Sequence, residues 1–299
     1  MIKQQIYYIN KEVKLSMVTN NLRKFGIGAY FDMYSDNQSD WNLEVIYNNS
    51  INVECLEVLL EFPGGTKYFD KHKSEHLKSL LKGIYIATHA PTINLSLVCM
   101  NDSILRASIE EHKRAIDVSK ILGANLMTIH GGEYPYYTSL NGTSPSLIFN
   151  KCISELIPYA KDRGVTIQVE NLKNKHIFPQ SIKELDFILD SNYELMLALD
   201  LRHACINNLS PLELFRKYRS RVTSIQYRED CGMDDGELLM LFKELNDTDF
   251  RGYFIVEDSV LNASNKSEKP MIERGIKKIN MCMDKINLEN MGGVLYDKR

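Results

Sequence analysis

Glu194-Leu-Met-Leu-Ala-Leu-Asp-Leu-Arg-His203 reads as a buried strand that runs straight into chemistry. The apolar run ends on Asp200, and His203 follows after two intervening residues, so a carboxylate and an imidazole mark one end of the element. Four other strand-like runs stop in the same way: Ile84 to His89, Asn125 to His130, Val165 to Glu170 and Gly252 to Glu257. Short apolar runs of this kind suit strands covered on both faces. A ligand-type side chain at every terminus predicts that the five ends converge on one metal-centred pocket.

Outward from this stretch, strand and helix signals alternate along the chain. Phe25 to Asp32 is a first strand, and a short helical segment around Trp41 to Tyr47 follows. Val53 to Phe62 is the second strand, closed by Pro63-Gly64-Gly65. Asp70 to Leu81 is a charged amphipathic helix. Ser103 to Leu122 carries apolar residues at close to a 3.6 period, with Gly123 as its C-cap. Ser144-Pro145 and the capping-box pattern Ser210-Pro-Leu-Glu213 open two further helices. Helices near Ser181 to Leu189, Glu237 to Leu245 and Pro270 to Ile286 follow the fifth, seventh and eighth strands, the seventh strand being Val222 to Arg228.

Eight strand–helix units without a linker predict an α/β fold of one domain, a parallel (β/α)₈ TIM barrel over residues 25–286. Residues 1–24 are a short N-terminal extension and residues 287–299 a polar tail. A doubly wound sheet is the other arrangement of such units, but no Gly-x-Gly-x-x-Gly turn follows any strand. In a barrel the reactive groups gather at the C-terminal strand ends, where His89, His130, Glu170, Asp200 and Glu257 fall.

The bulk composition narrows the partners. A chain of 299 residues with 36 basic and 39 acidic side chains has a net charge of -3 and no visible basic face. Nucleic-acid binding would therefore need a local patch. The six cysteines are widely spaced with no Cys-x-x-Cys pair, the pattern of reduced thiols. No apolar run suits a membrane span and the N-terminus lacks a signal-type core, so a cytoplasmic protein without a membrane role is expected. Such a chain is compatible with a homo-oligomer.

Side chains two apart on a strand share a face. Thr128 then points with His130, Gln168 with Glu170, Ala198 with Asp200, Gln226 with Arg228, and Ile255 with Glu257. Three carboxylates meeting at the barrel mouth would repel in a low-dielectric site unless a cation neutralised them, which predicts a divalent ion. Each polar residue taken singly could simply mark a solvated strand end; five together argue otherwise. His72 and His76 have the spacing of helical metal ligands, but their lysine-rich surroundings read as a solvated face. Arg202 and Arg228 are placed to hold a substrate phosphate or carboxylate, or to pair with Glu229 or Asp230.

Thr88-His89-Ala-Pro91, Thr128-Ile-His130-Gly-Gly132, Val169-Glu170-Asn171, Leu199-Asp200-x-x-His203 and Val256-Glu257 resemble the strand ends of the xylose isomerase-like barrel superfamily, as does the helix containing Ser108-Ile-Glu-Glu-His-Lys-Arg-Ala115. That superfamily includes sugar (phosphate) isomerases and epimerases and endonuclease IV. The resemblance covers about residues 25 to 286 and implies that Glu170, Asp200, Gln226 and Glu257 ligate one divalent metal. The family normally has histidine where this chain has Gln226. An amide oxygen is a harder donor than imidazole, so Mn²⁺ or Mg²⁺ is favoured, with Zn²⁺ or Co²⁺ as alternatives.

The expected activity is that of a metal-dependent isomerase or epimerase on a small carbohydrate-like hydroxy-carbonyl substrate, acting through an enediolate. Glu170 and Glu257 are its expected acid/base partners. His203 and Arg228 orient substrate oxygens, while His89 and His130 shape the pocket. Rival readings keep the barrel: a dehydratase or lyase starting from the same enediolate, a non-catalytic binding protein, or an endonuclease IV-like AP endonuclease. The last lacks at least two imidazoles, because Asp234 and Asp235 stand where an Asp-x-His is needed and no histidine follows His203.

Overall fold

The computed structural model describes residues 26–31 (backbone), 53–61, 65–134, 144–173, 176–257 and 274–286. The N-terminal extension, the segment around Trp41 to Tyr47 and the tail from residue 287 lie outside them. Eight parallel strands close into a barrel: β1 (Gly26–Phe31), β2 (Cys55–Leu59), β3 (Tyr85–His89), β4 (Leu126–Ile129), β5 (Thr166–Glu170), β6 (Met196–Asp200), β7 (Val222–Tyr227) and β8 (Tyr253–Val256). Each strand pairs with its neighbours in sequence. β8 closes the circle on β1, with Gly26 opposite Tyr253 and Ala29 opposite Val256.

The period of two along each strand sorts side chains into two environments. Leu56, Val58, Ile86, Met127, Ile129, Ile167, Val169, Leu197, Leu199, Ile225, Phe254 and Val256 share one buried cluster with the surrounding helices. The helix Asp102–Leu122 contributes Ile109, Ala115, Ile116, Val118 and Leu122 to that cluster. Burying a leucine or isoleucine there stabilises the fold by about 1.5–3 kcal/mol each. The alternate residues face into the barrel and change character along its axis. At the N-terminal end Cys55, Ala87 and Leu126 pack with Tyr85 and Tyr253, whose rings stack 4.5 Å apart. Next comes a sealed polar layer of Glu57, Thr128, Gln168, Ser224 and Gln226. Buried His89, Glu170 and Asp200 finish their strands above it.

Chain punctuation follows local chemistry. Asn101 caps the helix Asp102–Leu122 by accepting from Ser103 and Ile104 N–H, and Gly123 ends it at φ +82°. This helix begins one residue earlier than the apolar period suggests because Asn101, not a later serine, supplies the cap. Ser210 accepts from Glu213 N–H, but the Glu213 carboxylate turns to Arg216, so the predicted box forms only by half. Ser144 starts its helix through Pro145 with no side-chain cap bond. Complete boxes form instead at Ser181/Glu184 and Asp234/Glu237.

Three features depart from the sequence reading. His130, Arg228 and Glu257 lie just beyond their strands, although Glu257 N–H still reaches Tyr227 O at 2.8 Å. The segments after β4 and β5, for which the sequence pattern predicts no strands, form an antiparallel pair, Gly132–Glu133 with Ile177–Phe178. Finally, His203, just past its strand, stands on a short helix that the sequence pattern does not predict, Leu201–Ile206. The described cysteines are all free thiols, four of them buried. Among the described residues no helix is long and apolar enough to cross a membrane.

Candidate metal centre at the barrel mouth

Glu170 is the hub of the C-terminal end. Its Oε2 lies 2.9 Å from His130 Nε2 and 3.3 Å from His89 Nε2, and its Oε1 lies 2.9 Å from His203 Nδ1. Burial alone would raise the Glu170 pKa, yet the three imidazoles hold it well below the usual carboxylate range. His89 also donates from Nδ1 to Ala90 O at 2.8 Å, which leaves its other nitrogen for Glu170. Burial disfavours the His89 cation, but Glu170 and Glu57 outweigh it and push the pKa up to about 9. His130 goes the other way, lowered by burial.

The backbone positions these groups. Gly131 follows His130 because a Cβ there would lie 2.5 Å from Phe178 O; its N–H donates to that oxygen instead. Gly132 takes φ +92° against Ser96, so the chain leaves the barrel edge where any larger residue would clash. Asn171 then ties two strand ends together. Its Nδ2 donates to Asp200 O at 2.9 Å, and its Oδ1 accepts from Asp200 N–H at 2.8 Å. Asp200 caps the helix Leu201–Ile206 by accepting from His203 N–H, which turns the His203 ring towards Glu170.

The remaining carboxylates repel one another. Burial, with Glu170 nearby and His203 opposing, pushes Asp200 up to about 7. Glu257, half-buried after β8, is raised well above the usual range by desolvation and by the charges of Glu170, Asp200 and Glu57. Two sets of potential ligands are tight: His89, His130 and Glu170, and Glu170, Asp200 and His203, each with one donor atom per residue within 4.8 Å of the others. Glu257 stands outside both sets while feeling the charges of the second. Gln226 is fully buried opposite Asp200 in the strand register; its Nε2 donates to Glu57 Oε2 at 3.2 Å, and its Oε1 has no donor among the described residues. The carboxylates and imidazoles of these two sets, with an unpartnered buried amide oxygen nearby and carboxyls raised by burial and by their neighbours' charges, are donors that could hold a divalent cation.

At the rim, Arg202 and Arg228 both turn to Asp230, at 3.4 Å and 3.2 Å, while Glu229 pairs with Arg274. Lys173 joins them, its pKa lowered by burial and by Arg202. His72 and His76 are exposed on the helix Lys71–Leu80. Asp234 serves as a helix cap and Asp235 pairs with Lys278. Three residues of the site carry no role in the sequence reading: Glu57, Asn171 and Lys173. Lys173 lies three residues past Glu170, and Glu57 shares the inner face of its strand with Cys55 and Leu59, which are the signals that point to them.

Behind the centre, His112 is buried on the helix Asp102–Leu122 and hydrogen-bonds Ser108 O at 2.7 Å. Burial pushes its pKa down to about 4 from an ordinary 6.5. The unfolded chain therefore binds the extra proton first, and stability falls as the pH drops from 6.5 towards 4. Between pH 7 and pH 5 this residue alone removes about 2 kcal/mol. His112→Gln is expected to lose that share of the decline in urea unfolding at the two pH values. An unchanged decline would show that His112 does not titrate in this way.

With this geometry in place, comparison with known proteins gives a consistent picture. The family described as xylose isomerase-like TIM barrel matches residues 50–280. An uncharacterized protein of Methanocaldococcus jannaschii, MJ1311, is 24% identical over 241 residues, covering 74% of this chain and 80% of that protein. Among solved structures, a D-tagatose 3-epimerase-like protein superposes with a TM-score of 0.70 at 19% identity, covering 88% of this chain and all (100%) of the other. D-psicose 3-epimerase from Clostridium cellulolyticum H10, solved with D-tagatose, gives 0.64 at 15% identity, covering 79% and 86%. These structural likenesses show the fold. The family match spans most of the chain, and on it this protein belongs to the xylose isomerase-like TIM-barrel family.

Proposed function

We propose that the protein is a divalent-metal-dependent sugar isomerase or epimerase that moves a proton next to a substrate carbonyl. The observation that carries this reading is the tight set Glu170, Asp200 and His203, with one donor atom each within 4.8 Å of the others, and Gln226, with its unpartnered Oε1, opposite Asp200 in the strand register. Glu170, Asp200, Gln226 and Glu257 would hold the ion. When bound, it supplies a Lewis acid that favours enediolate character in the substrate.

The two glutamates divide the proton work. As carboxylates on the ion, Glu170 and Glu257 would form an acid/base pair, one removing the substrate proton and the other delivering it; the imidazoles keep Glu170 ionised, and burial and repulsion raise the proton affinity of Glu257. His203 and Arg228 would orient substrate oxygens, and His89 and His130 would wall the pocket. Lys173 and Arg202 would add affinity for an acidic substituent, such as the phosphate of a sugar phosphate. The printed names of the structural relatives, a D-tagatose 3-epimerase-like protein and a D-psicose 3-epimerase, support a ketose substrate.

The test is incubation with Mn²⁺ in D₂O using D-tagatose, D-psicose and their phosphorylated counterparts. Deuterium next to the carbonyl, with appearance of the epimer or isomer, is the expected result. Loss of water or carbon from the substrate would move the reaction to a dehydratase or lyase. No exchange with any of these ketoses would contradict the reading.

A further inference from the structure

We propose that Glu57 is a positioning residue that decides which end of the Gln226 amide faces the metal. This inference rests on the metal-dependent reading above and concerns how the amide of Gln226 can complete the site. Glu57 lies in the middle of β2, fully buried, beneath the cluster of strand-terminal ligands. Both of its carboxylate oxygens are taken by donors: Oε1 accepts from the Thr128 hydroxyl, and Oε2 accepts from Gln226 Nε2 at 3.2 Å.

The direction of these bonds is set by Glu57, because a carboxylate only accepts. Thr128 must therefore donate to Glu57, and its Oγ1 accepts from Gln168 Nε2 at 2.8 Å. Gln168 Oε1 is then left to accept from the Thr223 and Ser224 hydroxyls, at 2.6 Å and 3.0 Å. Burial raises the Glu57 pKa while His89, Thr128 and Gln226 favour the ionised form; in that form it offers only acceptors, so Gln226 bonds it through its NH₂ group. Its Oε1 is thereby left over, buried and without a donor among the described residues. An imidazole at this position would give one nitrogen to the ion and an N–H to Glu57. The amide of Gln226 reproduces that division of labour with oxygen in place of nitrogen.

The test reverses the polarity of the pair. Glu57→Gln keeps the size of the side chain but adds a donor. With the Thr128 bond retained, the new amide nitrogen faces residue 226, and Gln226 must turn its oxygen inward and its NH₂ towards the ion. Mn²⁺ affinity, followed by the electron paramagnetic resonance of the free ion, is expected to fall about 10- to 100-fold, the usual loss when a group that orients a ligand is removed. The double variant Glu57→Gln/Gln226→Glu conserves net charge. Its carboxylate at 226 can accept from the amide at 57 with one oxygen and offer the other to the ion, so affinity is expected to return to within about threefold of wild type.

Circular dichroism and thermal melting confirm folding of each variant. Where the single variant does not fold, Gln226→Leu, which removes both ends of the amide, replaces it as the weakened reference. Wild-type affinity in Glu57→Gln overturns the inference, as does a folded double variant no tighter than the weakened reference. A wild-type protein that takes up no Mn²⁺ overturns the metal reading itself, and this inference with it.

Discussion

Glu257→Gln is expected to reduce kcat by about 10³-fold while leaving the barrel folded, in line with the contribution of a positioned acid or base. Its carboxyl follows β8, where desolvation and the charges of Glu170, Asp200 and Glu57 favour the protonated form. Glutamine matches that neutral form in size and polarity, so removing the titratable proton removes function with little structural penalty. Glu170→Gln is expected to lose as much activity but to be less innocent. It deletes the charge that three imidazoles face, and its melting temperature is expected to drop as well. Activity above a tenth of wild type in folded Glu257→Gln and Glu170→Gln proteins would remove both glutamates from the chemistry.

Stripping the protein with a chelator is expected to abolish turnover, and Mn²⁺ to restore it. The same ion is expected to stabilise the fold, because it neutralises carboxylates that otherwise repel. At a free concentration a hundred times its Kd, Mn²⁺ would add about 2.7 kcal/mol to the unfolding free energy. The sign of the pH dependence follows from the raised groups. Without the ion, Asp200 titrates at about 7 and Glu257 is raised well above the usual carboxylate range, so at pH 7 part of the ligand set carries protons. Ligation requires carboxylates, so uptake releases protons and affinity weakens as the pH falls below 7. Calorimetry in two buffers of different ionisation enthalpy reads that release. Uptake without proton release would mean that the raised carboxyls are not ligands.

The barrel was legible because its signals are local. Apolar runs of strand length, each ending on a ligand-type side chain, place the elements and the end where they meet. What escaped depends on contacts distant in sequence. Glu57 sits inside an apolar run, and the bond that gives it meaning is to Gln226, 169 residues away. Asn171 looks like part of a short motif until its side chain is seen to clamp the backbone of Asp200, 29 residues on. The helix that carries His203 went unread because six residues hold too little periodicity to announce themselves; its cap, Asp200, already had a role as a ligand. The half-formed box at Ser210 shows the same limit from the other side, since Arg216 competes for the Glu213 carboxylate within one helical turn.

Direct titration of the purified, chelator-stripped protein with Mn²⁺ tests the proposed gathering of Glu170, Asp200, Gln226 and Glu257 around a single cation. About one equivalent bound per chain is expected, abolished when Asp200 becomes alanine. Less than about a tenth of an equivalent, with Mg²⁺, Zn²⁺ and Co²⁺ no better, would contradict it and leave the barrel without a metal centre.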